Sequence, residues 1–107
     1  MSLAEDIAPL IHGEITEKES ALRAASRDAS LFSVRPSAVV HPMNVDDVST
    51  LVQYASKHKH VSLTVRSGGT DMTGGPLTDS LVVDMSSHFT RIGTISNSTI
   101  QIDPGAF

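Results

Sequence analysis

The chain of 107 residues has no cysteine and no tryptophan. Without thiols it cannot build a disulfide, a thiolate metal site or an iron–sulfur cluster, and this absence agrees with a cytoplasmic protein. Aromatic residues make up only 4%, so Val, Ile, Leu and Ala must fill any core. No apolar run approaches the roughly 20 residues of a membrane-spanning helix. Glu5 and Asp6 stand where a secretory signal would carry positive charge. A basic excess is missing too. The formal charge is -4 and the eight Lys and Arg are scattered, which argues against a nucleic-acid partner, normally met by a basic stripe. Internal repeats and low-complexity segments are absent, and the length allows one domain at most.

What is present reads as an α/β chain. Ser2 and Glu5 have the spacing of a capping box, and Leu3, Ile7, Leu10 and Ile11 follow at helical spacing until Gly13 ends the helix. Thr16 and Glu19 repeat the start signal for a short helix over residues 18–25, with Ala21, Leu22 and Ala25 on its apolar side. Pro36 and Pro42 bracket a strand over residues 37–41. Asn44 caps a helix reaching about Lys57, with Val45, Val48, Val52 and Ala55 on one face and Leu51 beside it. Strands follow at 61–65 and 81–85. The second is apolar almost throughout, as in a strand buried on both faces of a parallel sheet. Residues 36–85 therefore form a β-α-β unit with a further buried strand, its crossover right-handed. Residues 91–95 and 99–102 alternate in the half-buried manner, and Ser96-Asn97-Ser98 joins them as an antiparallel hairpin.

The densest chemical signal is Thr64-Val65-Arg66-Ser67-Gly68-Gly69-Thr70-Asp71-Met72-Thr73-Gly74-Gly75. Four glycines fall within eight residues directly after a β-branched run. Glycine tolerates positive φ and carries no Cβ, so such a loop can turn its amides towards one point, a concave site for an anion such as phosphate. Arg66, Thr70 and Thr73 add donors beside it. The same composition also serves as a plain connection between strands, and the flanking motifs must decide. The histidines form no acid–base or metal constellation. His58 and His60, two apart, point to different sides of a helix, and His12, His41 and His88 read as structural or solvated. No metal site is expected.

Five motifs occur in one order: Pro36-x-Ala38-Val39-Val40-x-Pro42, the capped Asp46-Asp47-Val48 helix, Val65-Arg66-Ser67-Gly68-Gly69-Thr70, Leu81-Val82-Val83-Asp84-Met85, and Ile102-x-Pro104-Gly105-Ala106. The series resembles the FAD-binding domain of the vanillyl-alcohol-oxidase type, shared with p-cresol methylhydroxylase. It is most similar to the FAD-linked D-lactate dehydrogenase and glycolate oxidase subunit branch, and the Arg27-Asp28-Ala29-Ser30 lead-in strengthens that placement. The resemblance spans residues 14–107. It implies a helical lead-in at 1–35, a first FAD-binding subdomain at 36–86, and the start of a second, α+β subdomain at 87–107. It further implies that Arg66, Ser67, Gly68, Gly69, Thr70 and Asp71, completed by Thr73, Gly74 and Gly75, cradle the FAD diphosphate. Pro104 and Gly105 match a turn lying close to the flavin. In the berberine-bridge-like branch the position of Thr70 is often a histidine bonded to the flavin. Threonine cannot form that bond, so the FAD should be non-covalent.

The resemblance also implies the reaction: oxidation of a small 2-hydroxy acid such as D-lactate or glycolate, with the substrate-binding residues outside this stretch. The final Asp103-Pro104-Gly105-Ala106-Phe107 lies inside a turn, which predicts further sequence after it and an inactive chain when alone. The alternative is a non-catalytic, truncated α/β module that self-associates, through the hairpin edge and the face left by its missing half, into a homo-oligomer.

Overall fold

The computed structural model describes residues 2–107. In chain order the elements are α1 (Leu3–Ile7), a 3-10 turn (Ala8–Leu10), β1 (Glu14–Thr16), α2 (Glu19–Ala25), β2 (Ala38–His41), α3 (Val45–Lys57), β3 (Leu63–Arg66), β4 (Leu81–Asp84), β5 (Ile92–Ser96) and β6 (Thr99–Ile102). Strands β1 to β4 form one sheet in the order β1-β2-β4-β3. β4 is parallel to both β2 and β3, and β1 closes the other edge antiparallel to β2. The apolar run at 81–84 thus becomes the strand with a parallel neighbour on each side. Leu81 and Val82 are fully buried.

Alternation along these strands sorts the core into two layers. Ala38, Val40, Leu81 and Val83 join Ile7, Leu51 and Met85 on one side of the sheet. Val39 and Val82, paired in register, meet Leu22 and Ala25 of α2 on the other. Small side chains suffice because α2 lies close over the strands.

Three local readings change. Gly13 does not end a helix. α1 stops at Ile7, the 3-10 turn carries Pro9, and Gly13 packs flat on β2, where a Cβ would lie 2.1 Å from the His41 carbonyl oxygen. Thr16 does not cap α2. It ends β1, and Lys18 takes the N-cap position. The lead-in is therefore part strand, because three residues after Gly13 find an open edge on β2.

α3 also turns its face. Asn44 caps it as expected, accepting the Asp47 amide at 2.9 Å. The buried side, however, runs through Asp47 and Leu51, with Val48, Tyr54 and Ala55 packed beside them, while Val45 and Val52 are exposed. The cause is Asp47. Its carboxylate accepts the amides of His12 and Gly13, each at 2.8 Å, and that of Met43 at 2.9 Å, which rotates the helix towards α1 and β1.

The β5–β6 hairpin stands apart from the sheet. Asn97 and Ser98 alone form its turn, both at positive φ, and Ser96 pairs with Thr99. A register shift between Ile92 and Ile95 lets Ile92 face Ile102 and Ile95 face Ile100. Every residue of both strands is exposed, where alternation predicts one buried face, because no other described element packs on them.

Candidate cofactor site

β3 leaves the sheet at Arg66, opposite Asp84 of β4, and the Arg66 carbonyl accepts the Met85 amide at 2.9 Å. The chain then loops through residues 67–75 before Pro76 re-enters the core. Gly69 and Gly74 sit at φ +69° and +84°, a region open to glycine at little cost. A Cβ on Gly69 would also lie 2.2 Å from the Arg66 guanidinium.

The loop amides fall into open and bonded ones. Among the described residues, the amides of Ser67, Gly68, Gly69 and Thr70 have no acceptor within the protein. Further on, the amides of Thr73 and Gly74 are taken. Asp71 Oδ1 accepts both the Thr73 amide and hydroxyl at 2.6 Å, and Asp28 Oδ2 accepts the Gly74 amide at 3.0 Å. These bonds hold both carboxyls below the usual carboxylate range: Asp71 through Thr73, Asp28 through Ser30 first and Gly74 after it, each against a smaller cost of burial. Arg66 is likewise engaged, donating to the carbonyls of Ala25 at 3.2 Å and Arg27 at 2.6 Å.

Two clefts meet at Arg66, Ser67 and Gly68. One, of about 410 Å³, runs along the loop from Val65 to Asp71 and is closed by Gly75 and Pro76. The other, of about 360 Å³, crosses the α2 face of the sheet. Ala21, Ala24, Ala25 and Val39 form its apolar floor, His41, Asp84 and Ser86 its polar end, and Phe107 one wall. The structure thus brings 66–71 and 75 to one cleft. Thr73 and Gly74 lie behind it. Pro104 and Gly105 line neither cleft. Gly105 is buried against the end of β4, its amide donating to Phe89 O at 2.7 Å, and the turn sets the Phe107 ring against Gly68. The alanines of α2 and the His41, Asp84 and Ser86 end were missed by sequence reasoning. Their only signal is the run of small residues on the apolar side of α2.

Three of the other histidines have local partners. His58 stacks on Tyr54 with centroids 3.9 Å apart, His88 Nε2 meets Glu14 Oε2 at 2.9 Å, and His12 meets Asp47. Among the described residues no group of three or more metal-binding side chains converges, and no helix is long and apolar enough to cross a membrane.

Unpaired amides lining a cleft beside a positive-φ glycine fit a diphosphate, which needs several donors and close backbone approach. An apolar floor next to them suits a cofactor with a planar ring. Residues 36–107 match the family of FAD binding domains. The chain belongs to that family. Its cofactor is FAD. It is 39% identical over 69 residues to the D-2-hydroxyglutarate dehydrogenase of Escherichia coli, covering 63% of this chain and 7% of that protein. With the enzyme of the same name from Pseudomonas putida it shares 34% over 82 residues, 75% of this chain and 8% of that one. The chain thus spans less than a tenth of these relatives' length. Among solved structures, a variant of Physcomitrella patens BBE-like 1 superposes with a TM-score of 0.69 at 26% identity, over 89% of this chain and 21% of that one. CrmK, a flavoenzyme of caerulomycin biosynthesis, gives 0.67 at 21%, over 88% and 20%. The parallel sheet with flanking helices and the FAD-binding family placement both agree with the sequence reading.

Proposed function

We propose that this domain anchors the diphosphate of non-covalent FAD in an oxidoreductase that oxidises a small 2-hydroxy acid. The observation carrying the reading is that the amides of residues 67–70, which line the loop cleft, are unpaired. The amides of Ser67, Gly68, Gly69 and Thr70, with the Thr70 hydroxyl, hold the diphosphate. Asp71, Thr73, Gly74 and Gly75 shape the far side of the loop, and Arg66 ties its entry to the end of α2. A second subdomain begins at residue 87, after the first at 36–86, and the Pro104–Gly105 turn within it lies close to the flavin. Bound flavin supplies the acceptor for the substrate's hydride. The names of the relatives favour D-2-hydroxyglutarate over D-lactate or glycolate as the acid, and the enzyme is read as cytoplasmic.

The test is an FAD titration of this chain by flavin fluorescence. Saturable binding by the wild type, lost when Gly68 and Gly69 are both replaced by valine, is the expected result. Equal binding by the double variant, or none by a folded wild type, would refute the assignment.

A second reading, self-association, is favoured by one feature. Ile92, Ile95, Ile100 and Ile102 of the hairpin are each between 46% and 78% exposed, an unusual concentration of apolar surface for an isolated chain. Light scattering on the same sample decides it. A concentration-independent monomer excludes this reading.

A further inference from the structure

The open amides at 67–70 have no partner within the protein, so no hydrogen bond of their own fixes their direction. The only described segment touching both ends of the loop is the stretch after α2. At the entry, Arg66 donates to the Ala25 and Arg27 carbonyls. At the exit, the Ala29 amide donates to Asp71 O at 2.9 Å, and Asp28 Oδ2 accepts the Gly74 amide at 3.0 Å. Asp28 is itself seated, since its Oδ1 takes the Ser30 amide at 2.8 Å. The segment is closed on itself by the Arg27–Ser33 bridge and by the Val34 amide on Ser26 O at 3.0 Å, so it can serve as a fixed support. Phe32 lies against Gly74, where a Cβ would come within 3.1 Å of the ring.

A carboxylate beside an anion site is electrostatically unfavourable, and a neutral acceptor would avoid that cost. What the carboxylate offers is strength: bonds from an amide to an ionised acceptor are roughly twice as strong as neutral ones. Both of its oxygens are used for this, one for each amide.

We propose that Asp28 is a positioning residue for the cofactor loop: it locks Gly74 and the loop exit while Arg66 locks the entry, so that residues 25–30 hold the four amides in their binding arrangement. The inference rests on the reading of 67–70 as the diphosphate cradle. Asp28 does not touch the cofactor.

The experiment compares the full chain with Asp28→Ala and Asp28→Asn by amide hydrogen exchange and FAD titration. The informative amide is Ala29, whose own acceptor, Asp71 O, is untouched by either substitution. In Asp28→Ala it should exchange about tenfold faster, and the FAD dissociation constant should rise about tenfold, the loss expected for one bond to a charged acceptor. The β4 amides of Val82 and Val83 should exchange as in the wild type, which separates loss of positioning from loss of fold. Asp28→Asn keeps one acceptor oxygen and should fall between; it carries the comparison if the alanine chain does not fold. Unchanged exchange at Ala29, or faster exchange with unchanged FAD affinity, would overturn the proposal. A wild type that binds no FAD refutes the cradle, and with it the positioning role, whereas the exchange result still decides whether Asp28 braces the loop.

Discussion

Asp47 Oδ2 accepts the Gly13 amide at 2.8 Å across 34 positions of sequence. The same carboxylate, 1% exposed, accepts the amides of His12 and Met43 and so joins α3 to both the start of β1 and the end of β2. Removing it orphans three amides at once. Asp47→Ala should cost about 3 kcal/mol or more, at ~1–3 kcal/mol for each polar group left unsatisfied. Urea denaturation reads the loss. A change below about 1 kcal/mol would mean that water replaces the carboxylate.

The same site makes stability depend on acid. Burial pushes the Asp47 carboxyl up, but the amides of His12, Met43 and Gly13, helped by the His12 ring, more than offset this and leave it below its ordinary value. With the folded value lower than the unfolded one, the stabilisation is complete above the ordinary carboxylate range. It is lost as pH falls through the folded value. The wild type should therefore lose stability below about pH 4, and its advantage over Asp47→Asn should shrink over that interval. Glu14, Asp28 and Asp71 are shifted in the same direction, so some acid slope must survive in the variant. An advantage that stays constant between about pH 7 and pH 3 would show that Asp47 is not the group responsible.

Asp47 also marks where reading from sequence stops. Its place in the first turn of α3 is explained equally well by the helix dipole, and a tertiary hydrogen-bond hub leaves no periodic trace. The apolar positions of α3 suggest a face through Val45 and Val52, and only the Asp47 contacts turn that face away. β1 was invisible for a related reason: three residues are too few to show alternation, and Thr16 with Glu19 mimics a capping box. By contrast, β2 and β4 were legible because burial on both faces demands unbroken apolar runs. The glycine loop was legible as a unit from its composition. Its division into open amides and amides held by Asp28 and Asp71 was not, since Asp28 lies 46 positions from Gly74.

Gly105 should tolerate no side chain. A Cβ there would lie 2.0 Å from Met85 O and 2.6 Å from Phe89 O, both backbone atoms that cannot move without disturbing the end of β4. Gly105→Ala should destabilise the chain by about 1–3 kcal/mol, as overpacking does elsewhere. It should also release Phe107 from Gly68. Thermal unfolding measures the first effect, and exchange at the amide of position 105, bonded to Phe89 O in the wild type, reports whether the turn that carries Phe107 has come loose. A variant as stable as the wild type would mean that the turn is not fixed to β4.

Arg66→Lys separates charge from geometry. Lysine keeps the positive charge but lacks the planar fork that reaches two carbonyls on different residues. If Arg66 acts by holding the Ala25 and Arg27 carbonyls, the variant should lose about 1–2 kcal/mol of stability and FAD affinity should fall with it. Retained affinity in a less stable chain would instead assign the charge itself to the diphosphate.

The hairpin turn offers a change in the stabilising direction. Asn97 and Ser98 hold φ of 51° and 65°, the pair of left-handed positions that a two-residue turn requires to match strand twist. A non-glycine residue there is strained by ~1–2 kcal/mol. Ser98→Gly removes that strain and creates the Asn-Gly pair that such turns favour, while glycine's greater freedom in the unfolded chain offsets part of the gain. The net effect should be about 0.5 kcal/mol, seen as slower exchange of the amides that pair β5 with β6. Because both strands are wholly exposed, that gain should stay local and leave exchange in β4 unchanged. No slowing would show that the bond from Thr99 Oγ1 to Ser96 O, at 2.7 Å, already fixes the turn whatever residue 98 prefers.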